Sequence, residues 1–256
     1  MRGLRDKTYV VAGGATGIGA AAAARLAEEG AAVTVGDINI AGAETTAERI
    51  TRAGGRAIAV EFDLADDKSV QAMVDRTIAE FGGVHGLFNV GADLSPGNIG
   101  RDKTVLETEF DVWQRTLDVN LLGYVRTVRA VLPHLLAHGG GSIVNTSSGT
   151  SVGGDPSRVA YGVSKAGVNQ LTRHIAINYG RRGIRANGVM PGLVMGETVQ
   201  NQNDVALQEA FLTAGRTTRL GVPDDLASVV SFLLSDEAEW INGQVWFIGG
   251  GAHLRN

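Results

Sequence analysis

Short apolar runs alternate with longer amphipathic segments along the whole chain. Most of these runs are continuous rather than alternating in polarity, which is typical of parallel strands that are covered on both faces. They predict strands at residues 8–12, 32–36, 57–62, 86–90, 142–146, 185–189 and 244–248. The amphipathic segments between them predict helices near residues 18–29, 41–53, 67–81, 110–137, 161–179 and 223–235.

Strands and helices in this alternating order predict a doubly wound α/β fold, with a sheet of about seven parallel strands and helices on both faces. The chain has 256 residues, of which 44% are hydrophobic, and no break in composition divides it, so we predict one domain over residues 1–256. Two stretches, 93–109 and 193–216, fit the alternation poorly. Because long irregular segments in compact domains often form binding loops, we predict a substrate lid at about residues 193–216. We expect residues 93–109, 151–160 and 193–216 to form the wall of the substrate pocket.

Charge and composition exclude several classes of protein. The net charge of −4 argues against a nucleic-acid binder that needs a broad basic face. Since the chain contains no cysteine, it has no disulfides, thiolate metal sites or cysteine nucleophiles. No apolar run reaches the roughly 18 residues that a membrane span needs, and the N-terminus lacks the length of a secretory signal. We therefore expect a cytoplasmic protein with neither nucleic-acid nor membrane partners.

Two histidines offer the strongest candidate for a metal site. His134 and His138 are four positions apart in a predicted helix, a spacing that can bind a metal. No third ligand is evident nearby in the sequence, and histidine near a helix C-terminus is favoured by the helix dipole. We therefore predict no metal.

A glycine-rich stretch, VVAGGATGIGAAAA, follows the first predicted strand and opens the first helix. Gly13, Gly17 and Gly19 permit a tight turn and the close approach of a pyrophosphate, and a helix N-terminus attracts phosphates. Asp37 ends the second strand, 18 residues after Gly19, where an acidic residue binds the adenosine ribose hydroxyls. A plain turn and a solvated aspartate would explain each feature alone, but together the features predict nucleotide binding.

The stretch YGVSK places Tyr161 and Lys165 one turn apart on one face of a predicted helix. An isolated pair of this kind is more often a packed tyrosine beside a solvent-exposed lysine. Ser148, however, follows a predicted strand, at the end of the sheet where ligands bind. Asn120 lies inside a predicted helix, where its amide competes with the backbone, so it is either a surface residue or a buried polar anchor.

In combination these motifs resemble those of the short-chain dehydrogenase/reductase family, and the resemblance covers essentially all 256 residues. Further matching motifs are FDL at 62–64, NVGA at 89–92 and PG at 191–192. The resemblance implies an NAD-dependent alcohol dehydrogenase or ketone reductase, with a small to medium, fairly apolar secondary alcohol or ketone as substrate. It also implies a homotetramer or homodimer. The alternatives are an NADPH-dependent reductase of a 3-oxoacyl-carrier-type substrate and a non-catalytic nucleotide-sensing scaffold.

The same resemblance implies a role for each site residue. Tyr161 is the general acid/base, while Lys165 favours its phenolate and holds the nicotinamide ribose. Ser148 binds the substrate oxygen, and Asn120 positions a water that links Lys165 to solvent. NAD is the expected cofactor because Asp37 would repel the 2′-phosphate of NADP. The residues implied to contact the cofactor are Gly13, Thr16, Gly17, Ile18, Gly19, Asp37, Asp63, Leu64, Asn89, Gly91, Tyr161, Lys165, Pro191, Gly192 and Val194.

Three positions depart from the family pattern. Ala12 stands where a threonine is usual, and Val90 stands where a small residue is common. Gly196 occupies a position where many members have a threonine that touches the cofactor amide, and Thr198 is a candidate replacement. These departures concern cofactor binding and loop order rather than the chemistry.

Overall fold

The structure is a computed structural model that describes residues 1–196 and 205–252. Within these residues, seven parallel strands form one sheet with the order β3-β2-β1-β4-β5-β6-β7. The strands are β1 (Thr8–Ala12), β2 (Ala32–Asp37), β3 (Arg56–Glu61), β4 (Gly86–Asn89), β5 (Gly141–Thr146), β6 (Ile184–Pro191) and β7 (Val245–Ile248). All seven predicted strands are confirmed, with ends within two residues of the predicted ones.

Helices cover both faces of the sheet. Helices α1, α2 and α9 pack on one face, and α3, α5 and α7 pack on the other. The helices are α1 (Gly17–Glu28), α2 (Ile40–Arg52), α3 (Asp67–Phe81), α4 (Phe110–Leu117), α5 (Gly123–Ala137), α6 (Thr150–Gly153), α7 (Val159–Tyr179), α8 (Val205–Ala214) and α9 (Pro223–Leu234). This arrangement confirms the doubly wound α/β fold.

The helical segment predicted near residues 110–137 is confirmed, but it is not a single regular α-helix. A π-helical turn, Asp118–Leu122, separates α4 from α5. Asn120 lies in this turn with its side chain fully buried, and its Oδ1 accepts a hydrogen bond from Asp93 N at 2.9 Å. The hydrophobic pattern indicated helix over this range and did not show the π-helical turn within it. Of the two interpretations of Asn120, the buried polar anchor is the one that the structure confirms.

Local sequence accounts for the ends of several helices. Helix α2 starts after Asn39, whose Oδ1 accepts a hydrogen bond from Gly42 N at 3.1 Å, and α3 starts after Asp66, which accepts one from Lys68 N at 2.9 Å. Helix α7 differs, because the residue before it is Arg158, with a φ of 60° and no capping side chain within the described residues. The N-terminus of α7 must therefore be satisfied by another segment.

The sheet order determines where a ligand can bind. From β1 the chain proceeds to β2 and β3 on one side, and then crosses to β4 on the other side of β1. In sheets of this kind the crevice at the carboxyl ends of the strands, where the order reverses, binds ligands. Most of the predicted site residues follow or end strands at this edge, whereas Asn120, Tyr161 and Lys165 lie on helices. Within the described ranges, no helix combines the length and apolar character needed to cross a membrane.

Candidate active site

A cavity of about 820 Å³ opens at the carboxyl ends of the strands. Most of the predicted site residues line it, and the exceptions are Asn89 and Asn120, whose side chains are fully buried. The predicted residues that line the cavity are Gly13, Thr16, Gly17, Ile18, Gly19, Asp37, Asp63, Leu64, Gly91, Ser148, Tyr161, Lys165, Pro191, Gly192 and Val194.

The structure corrects the placement of Asn89, which was expected to line the cofactor groove. Its Nδ2 donates to Asn145 Oδ1 at 2.9 Å, and its Oδ1 accepts from Thr127 Oγ1 at 2.8 Å. The side chain is therefore held within a buried polar network that joins β4, β5 and α5. Both ends of the amide are engaged there, so the side chain supports the strand end and does not line the cavity.

The glycine turn forms a cradle of backbone between β1 and α1. A Cβ atom at Gly13 would overlap the backbone of Gly91, and one at Gly19 would overlap the carbonyl of Gly13. Gly17 has a φ of +54°, with nothing near the position of a Cβ, so its backbone is open to the cavity. The first N–H groups of α1 begin here. Backbone without side chains at a helix N-terminus fits the pyrophosphate of a dinucleotide.

Asp37 is oriented by the backbone on both sides of it. Its Oδ2 accepts a hydrogen bond from Ala15 N in the glycine turn, and its Oδ1 accepts one from Asn39 N, both at 3.0 Å. The carboxylate is half-buried and lines the cavity beside the exposed Ile38. An acceptor group is therefore fixed at the end of β2, one strand away from the pyrophosphate cradle.

Ser148 and Tyr161 meet at the other end of the cavity. Burial raises the pKa of the Tyr161 phenol above its usual value, and the neighbouring Ser148 hydroxyl partly offsets this by lowering it. Ser148 Oγ accepts from Thr150 N at 3.3 Å and from Thr150 Oγ1 at 3.1 Å, which leaves the serine proton free to donate. The charge of Arg158 lowers the pKa of Tyr161 as well, but burial is the largest effect and raises it.

Lys165 is almost fully buried. Its Nζ donates to Thr146 O at 2.9 Å and lies 5.0 Å from the ring centroid of Tyr124 and 5.7 Å from that of Tyr161. Burial lowers the pKa of Lys165 to about 7. The expected lowering of the Tyr161 pKa by a neighbouring lysine cation is not found in the protein alone. Burial opposes the charged forms of both groups, and a lysine with this pKa is only partly charged near neutrality.

Polar atoms without a protein partner surround this lysine. Within the described part of the chain, Asn120 Nδ2, Tyr124 OH and Thr146 Oγ1 are buried and have no hydrogen-bond partner. Asn120 uses its Oδ1 to hold Asp93 N, so the amide has a fixed orientation and a spare donor. This matches the water-binding role that the family resemblance implies for it.

Residues 93–95 line the cavity as expected for the stretch 93–109, whereas sequence reasoning missed Arg115 and Val119. Asp93, Leu94, Ser95, Arg115 and Val119 all contribute to its wall. Arg115 Nε donates to Asp93 Oδ2 at 2.8 Å, and Ser95 N and Oγ donate to Asp93 Oδ1. An arginine on a predicted amphipathic helix looks like a solvent-exposed residue, so the sequence gives no signal for Arg115.

The predicted lid is partly described. Leu193, Val194 and Gly196 line the cavity, and α8 occupies Val205–Ala214. Met195 N donates to Gly221 O at 2.7 Å, which ties the start of this segment to the loop before α9. Thr198, the candidate replacement for the family threonine, lies outside the described residues.

The two histidines considered as metal ligands contact each other through one ring nitrogen and one backbone oxygen. Nδ1 of His138 lies 2.8 Å from the backbone oxygen of His134. Since a carbonyl oxygen only accepts, Nδ1 of His138 donates here, and Nε2 is the ring nitrogen that stays available. Across residues 1–196 and 205–252, no group of three metal-type side chains comes together.

Proteins of known class resemble this chain over nearly its full length. A family model described as Enoyl-(Acyl carrier protein) reductase matches residues 13–253. A Bradyrhizobium diazoefficiens protein, named as a probable short-chain type dehydrogenase/reductase, is 39% identical, with 99% of this chain and 90% of the relative covered. The cis-4-hydroxycyclohexanecarboxylate dehydrogenase of Sinomonas cyclohexanicum is 36% identical, with 96% of each chain covered.

Solved structures share the fold. A 7α-hydroxysteroid dehydrogenase in complex with NADH and 7-oxo glycochenodeoxycholic acid has a TM-score of 0.90 and 28% identity, covering 97% of this chain and 95% of that one. A gluconate 5-dehydrogenase from Burkholderia cenocepacia, in complex with NADP and tartrate, has a TM-score of 0.89 and 31% identity, covering 98% and 96%.

The parallel sheet, the dinucleotide cavity at its switch point and these similarities define an oxidoreductase that binds a nicotinamide cofactor and acts on a small molecule. Within that class, the chain belongs to the short-chain dehydrogenase/reductase family.

Proposed function

We propose that the protein is an NAD-dependent dehydrogenase of secondary alcohols, which also reduces the corresponding ketones. The position of Asp37 is the observation that carries this proposal. Its carboxylate lines the cavity with each oxygen held by one backbone N–H, which leaves lone pairs for the ribose hydroxyls of NAD. A 2′-phosphate would meet a like charge there, and the adjacent Ile38 supplies no cation.

The chemistry assigned to the chain is proton transfer at Tyr161. When bound, the nicotinamide ring accepts or supplies the hydride and, in its oxidised form, adds a positive charge to the site. The Tyr161 phenolate takes the proton from the alcohol hydroxyl during oxidation and returns it during reduction. Ser148 donates its free hydroxyl proton to the substrate oxygen and so holds that oxygen near the phenol.

Lys165 and Asn120 complete the proposed proton route. Because burial lowers the pKa of Lys165 to about 7, its Nζ can both hold and release a proton near neutral pH. Asn120 Nδ2 is buried without a protein partner in the described chain, so it can anchor a water between Lys165 and solvent. The route renews the proton at the Tyr161 oxygen after each turnover.

A secondary alcohol on a saturated ring is the substrate class that we propose. The cavity wall includes the apolar side chains of Leu94, Val119, Leu193 and Val194, and its arginine, Arg115, is paired with Asp93. Two similar proteins support a ring, since one is named for cis-4-hydroxycyclohexanecarboxylate and the other is in complex with a 7-oxo steroid acid.

A second candidate is an NADPH-dependent reductase of an acyl-carrier-type substrate. The description of the matching family model favours it, and one similar structure holds NADP. Asp37 disfavours it. Arg115, on the cavity wall, is paired with Asp93, so it offers no free positive charge there to an acidic carrier protein.

The whole chain of 256 residues is proposed to act as one domain that assembles as a homotetramer or homodimer. Large apolar side chains on α4 and α7 support the assembly, because Phe110 is 83% exposed and Ile177 is 79% exposed. A cytoplasmic location is part of the same proposal.

The test is a panel of secondary alcohols, including cyclohexanols, with NAD and with NADP, and the matching ketones and acyl-carrier substrates with NADH and NADPH. We expect turnover of ring alcohols, with a higher kcat/KM for NAD. A preference for NADP would contradict the interpretation of Asp37, and turnover of acyl-carrier substrates alone would favour the second candidate. Cofactor binding without any turnover would favour the non-catalytic scaffold.

Tyr161→Phe tests the proposed chemistry, because it removes only the phenol hydroxyl. Turnover should fall by at least ~10², the lower end of what general acid/base catalysis contributes. NAD affinity, measured by fluorescence titration, should barely change. Near-normal turnover in this variant would overturn the role of Tyr161.

A further inference from the structure

We infer that Asp102 is a positioning residue for Tyr161: its buried carboxylate caps α7 from a distant segment and thereby determines where Tyr161 stands relative to Ser148. The inference deepens the proposed function and rests on it for the role of Tyr161. The capping contact itself depends on the structure alone.

The N-terminus of α7 needs an external partner. The first turn of an α-helix leaves four backbone N–H groups without a partner inside the helix. In α7 these belong to residues 158–161, since the first helical hydrogen bond runs from Gly162 N to Arg158 O at 2.9 Å. Arg158 has a φ of 60° and an arginine side chain, which has no acceptor, so it cannot act as the usual capping residue.

One two-residue segment far away in sequence supplies the acceptors. The backbone oxygens of Asp102 and Lys103 accept from Arg158 N at 3.1 Å and from Val159 N at 3.3 Å. These two bonds hold the loop 93–109, which contributes to the cavity wall, alongside the start of α7.

The Asp102 carboxylate satisfies the remaining two groups. Its Oδ1 accepts from Ala160 N at 3.0 Å, and its Oδ2 accepts from Tyr161 N at 2.8 Å. Asp102 is only 3% exposed, and a negative charge at a helix N-terminus is favourable. Two oxygens of one rigid group on consecutive N–H groups fix the rotation of the first turn about the helix axis.

This rotation decides where the proposed acid/base group points. Tyr161 lies in the first turn, so a turn that rotates or frays moves the phenol away from Ser148. The Asp102 segment is itself fixed, because Lys103 N donates to Thr108 Oγ1 at 2.8 Å, and Thr108 is buried. The contact therefore aligns two walls of the cavity that are distant in sequence.

Asp102→Asn is the variant that tests the inference. The asparagine keeps the shape and one acceptor oxygen, but its NH₂ group cannot accept from the second N–H. We expect kcat to fall at least tenfold, while the KM for NAD stays within about twofold, because the cradle at Gly13–Gly19 is untouched. Thr77→Val is the matched control, since it removes a buried hydroxyl bonded to Thr34 Oγ1 at 2.9 Å, away from the cavity.

A titration of Tyr161 separates positioning from a loss of stability. The absorbance of tyrosinate is followed with pH in the unaltered protein, Asp102→Asn and Thr77→Val, each compared with the same protein carrying Tyr161→Phe. Because the neighbouring Ser148 hydroxyl lowers the pKa of Tyr161, moving the phenol away from it in Asp102→Asn should raise the midpoint, whereas Thr77→Val should leave it unchanged. An unshifted midpoint with unchanged kcat, or an equal shift in both variants, would overturn the inference.

Two further measurements cover the other outcomes. If Asp102→Asn does not fold, amide hydrogen exchange of the unaltered protein tests the inference. The Ala160 and Tyr161 amides should be strongly protected, because both donate to Asp102. Rapid exchange at both would overturn the inference. If the unaltered protein oxidises no alcohol, the proposed function fails, while the titration and the exchange, which need no substrate, still test the role of Asp102.

Discussion

At the scale of single residues, Lys165 shows how burial controls the site. Its one protein acceptor among the described residues is Thr146 O, and its Nζ stands near the rings of Tyr124 and Tyr161. These groups cannot offset the loss of water around an ammonium, so the pKa falls to about 7. The charge of Lys165 is therefore sensitive to whatever else enters the cavity.

Lys165→Met should change how stability depends on pH. The pKa of Lys165 is about 7 in the folded protein against 10.5 in an unperturbed lysine, so between these values the unfolded chain binds more protons. The stability of the unaltered protein relative to Lys165→Met should therefore rise as pH increases through this range, by at most about 1.4 kcal/mol per unit. Urea unfolding of both proteins at about pH 7.5 and about pH 9.5 measures it. An equal pH dependence in both would contradict the buried, weakly charged lysine.

Asp37 controls cofactor choice in the proposed function. Asp37→Ser removes the carboxylate that accepts from Ala15 N and Asn39 N, so it should weaken NAD and relieve the repulsion of NADP. Adding Ile38→Arg supplies a cation for the 2′-phosphate. Together the changes should move the NAD/NADP ratio of kcat/KM by at least about tenfold toward NADP, the equivalent of about 1.4 kcal/mol. An NAD/NADP ratio of kcat/KM that is the same in the unaltered protein and both variants would show that Asp37 does not determine cofactor choice.

At the scale of elements, the segment 193–216 joins the cavity to α9. Its first residues line the cavity, and Met195 N is bound to Gly221 O. A ligand in the cavity would therefore touch one end of this segment, and closure of such a segment excludes water from the site. We therefore expect a ligand in the cavity to affect the segment 193–216 through the contacts of its first residues.

Hydrogen exchange with and without NAD plus substrate tests the lid. We expect peptides from residues 193–216 to gain protection when both ligands are present, because binding should order the segment. Peptides from β7, at the edge of the sheet, serve as the internal reference. Identical exchange across 193–216 in both states would remove the idea of a lid.

The hydrophobic pattern predicted the strands and most helices, because each element buries fixed faces and this sets the spacing of its apolar residues. It did not show the π-helical turn around Asn120, which lies inside the predicted helical segment. It also could not find Asp102, because a carboxylate that caps a helix 57 residues later has no local signature. The spacing of the motifs predicted that Ser148, Tyr161 and Lys165 line one cavity, as they do. It could not predict that the side chain of Asn89 is bonded within a buried polar network, because that network forms only in the folded chain.

At the scale of the whole molecule, the exposed apolar side chains on α4 and α7 need an explanation. Leu106, in the loop that precedes α4, is also 97% exposed. Isolated apolar groups on a surface are ordinary, but their concentration on neighbouring helices favours contact with a second copy of the chain.

Light scattering after gel filtration tests the proposed assembly. The chain mass is 26.7 kDa, so a particle of two or four times this mass is expected. Phe110→Lys should shift the population toward smaller particles, because it places a charge where an apolar contact is proposed. Glu44→Lys, at an exposed position on α2, is the matched control. A single chain at every concentration would contradict the assembly.

The position of β1 between β2 and β4 also has a consequence for how the chain folds. Tyr9 pairs with Gly86, 77 positions later in sequence, so the central pairing of the sheet closes one of its long loops. Non-local pairings of this kind slow folding, because much of the chain must be ordered before they form. The dinucleotide cavity lies at that junction, between the turn after β1 and the end of β4. Cofactor binding therefore requires the long-range step to be complete, and recovery of binding after dilution from denaturant reports that step rather than the formation of individual helices.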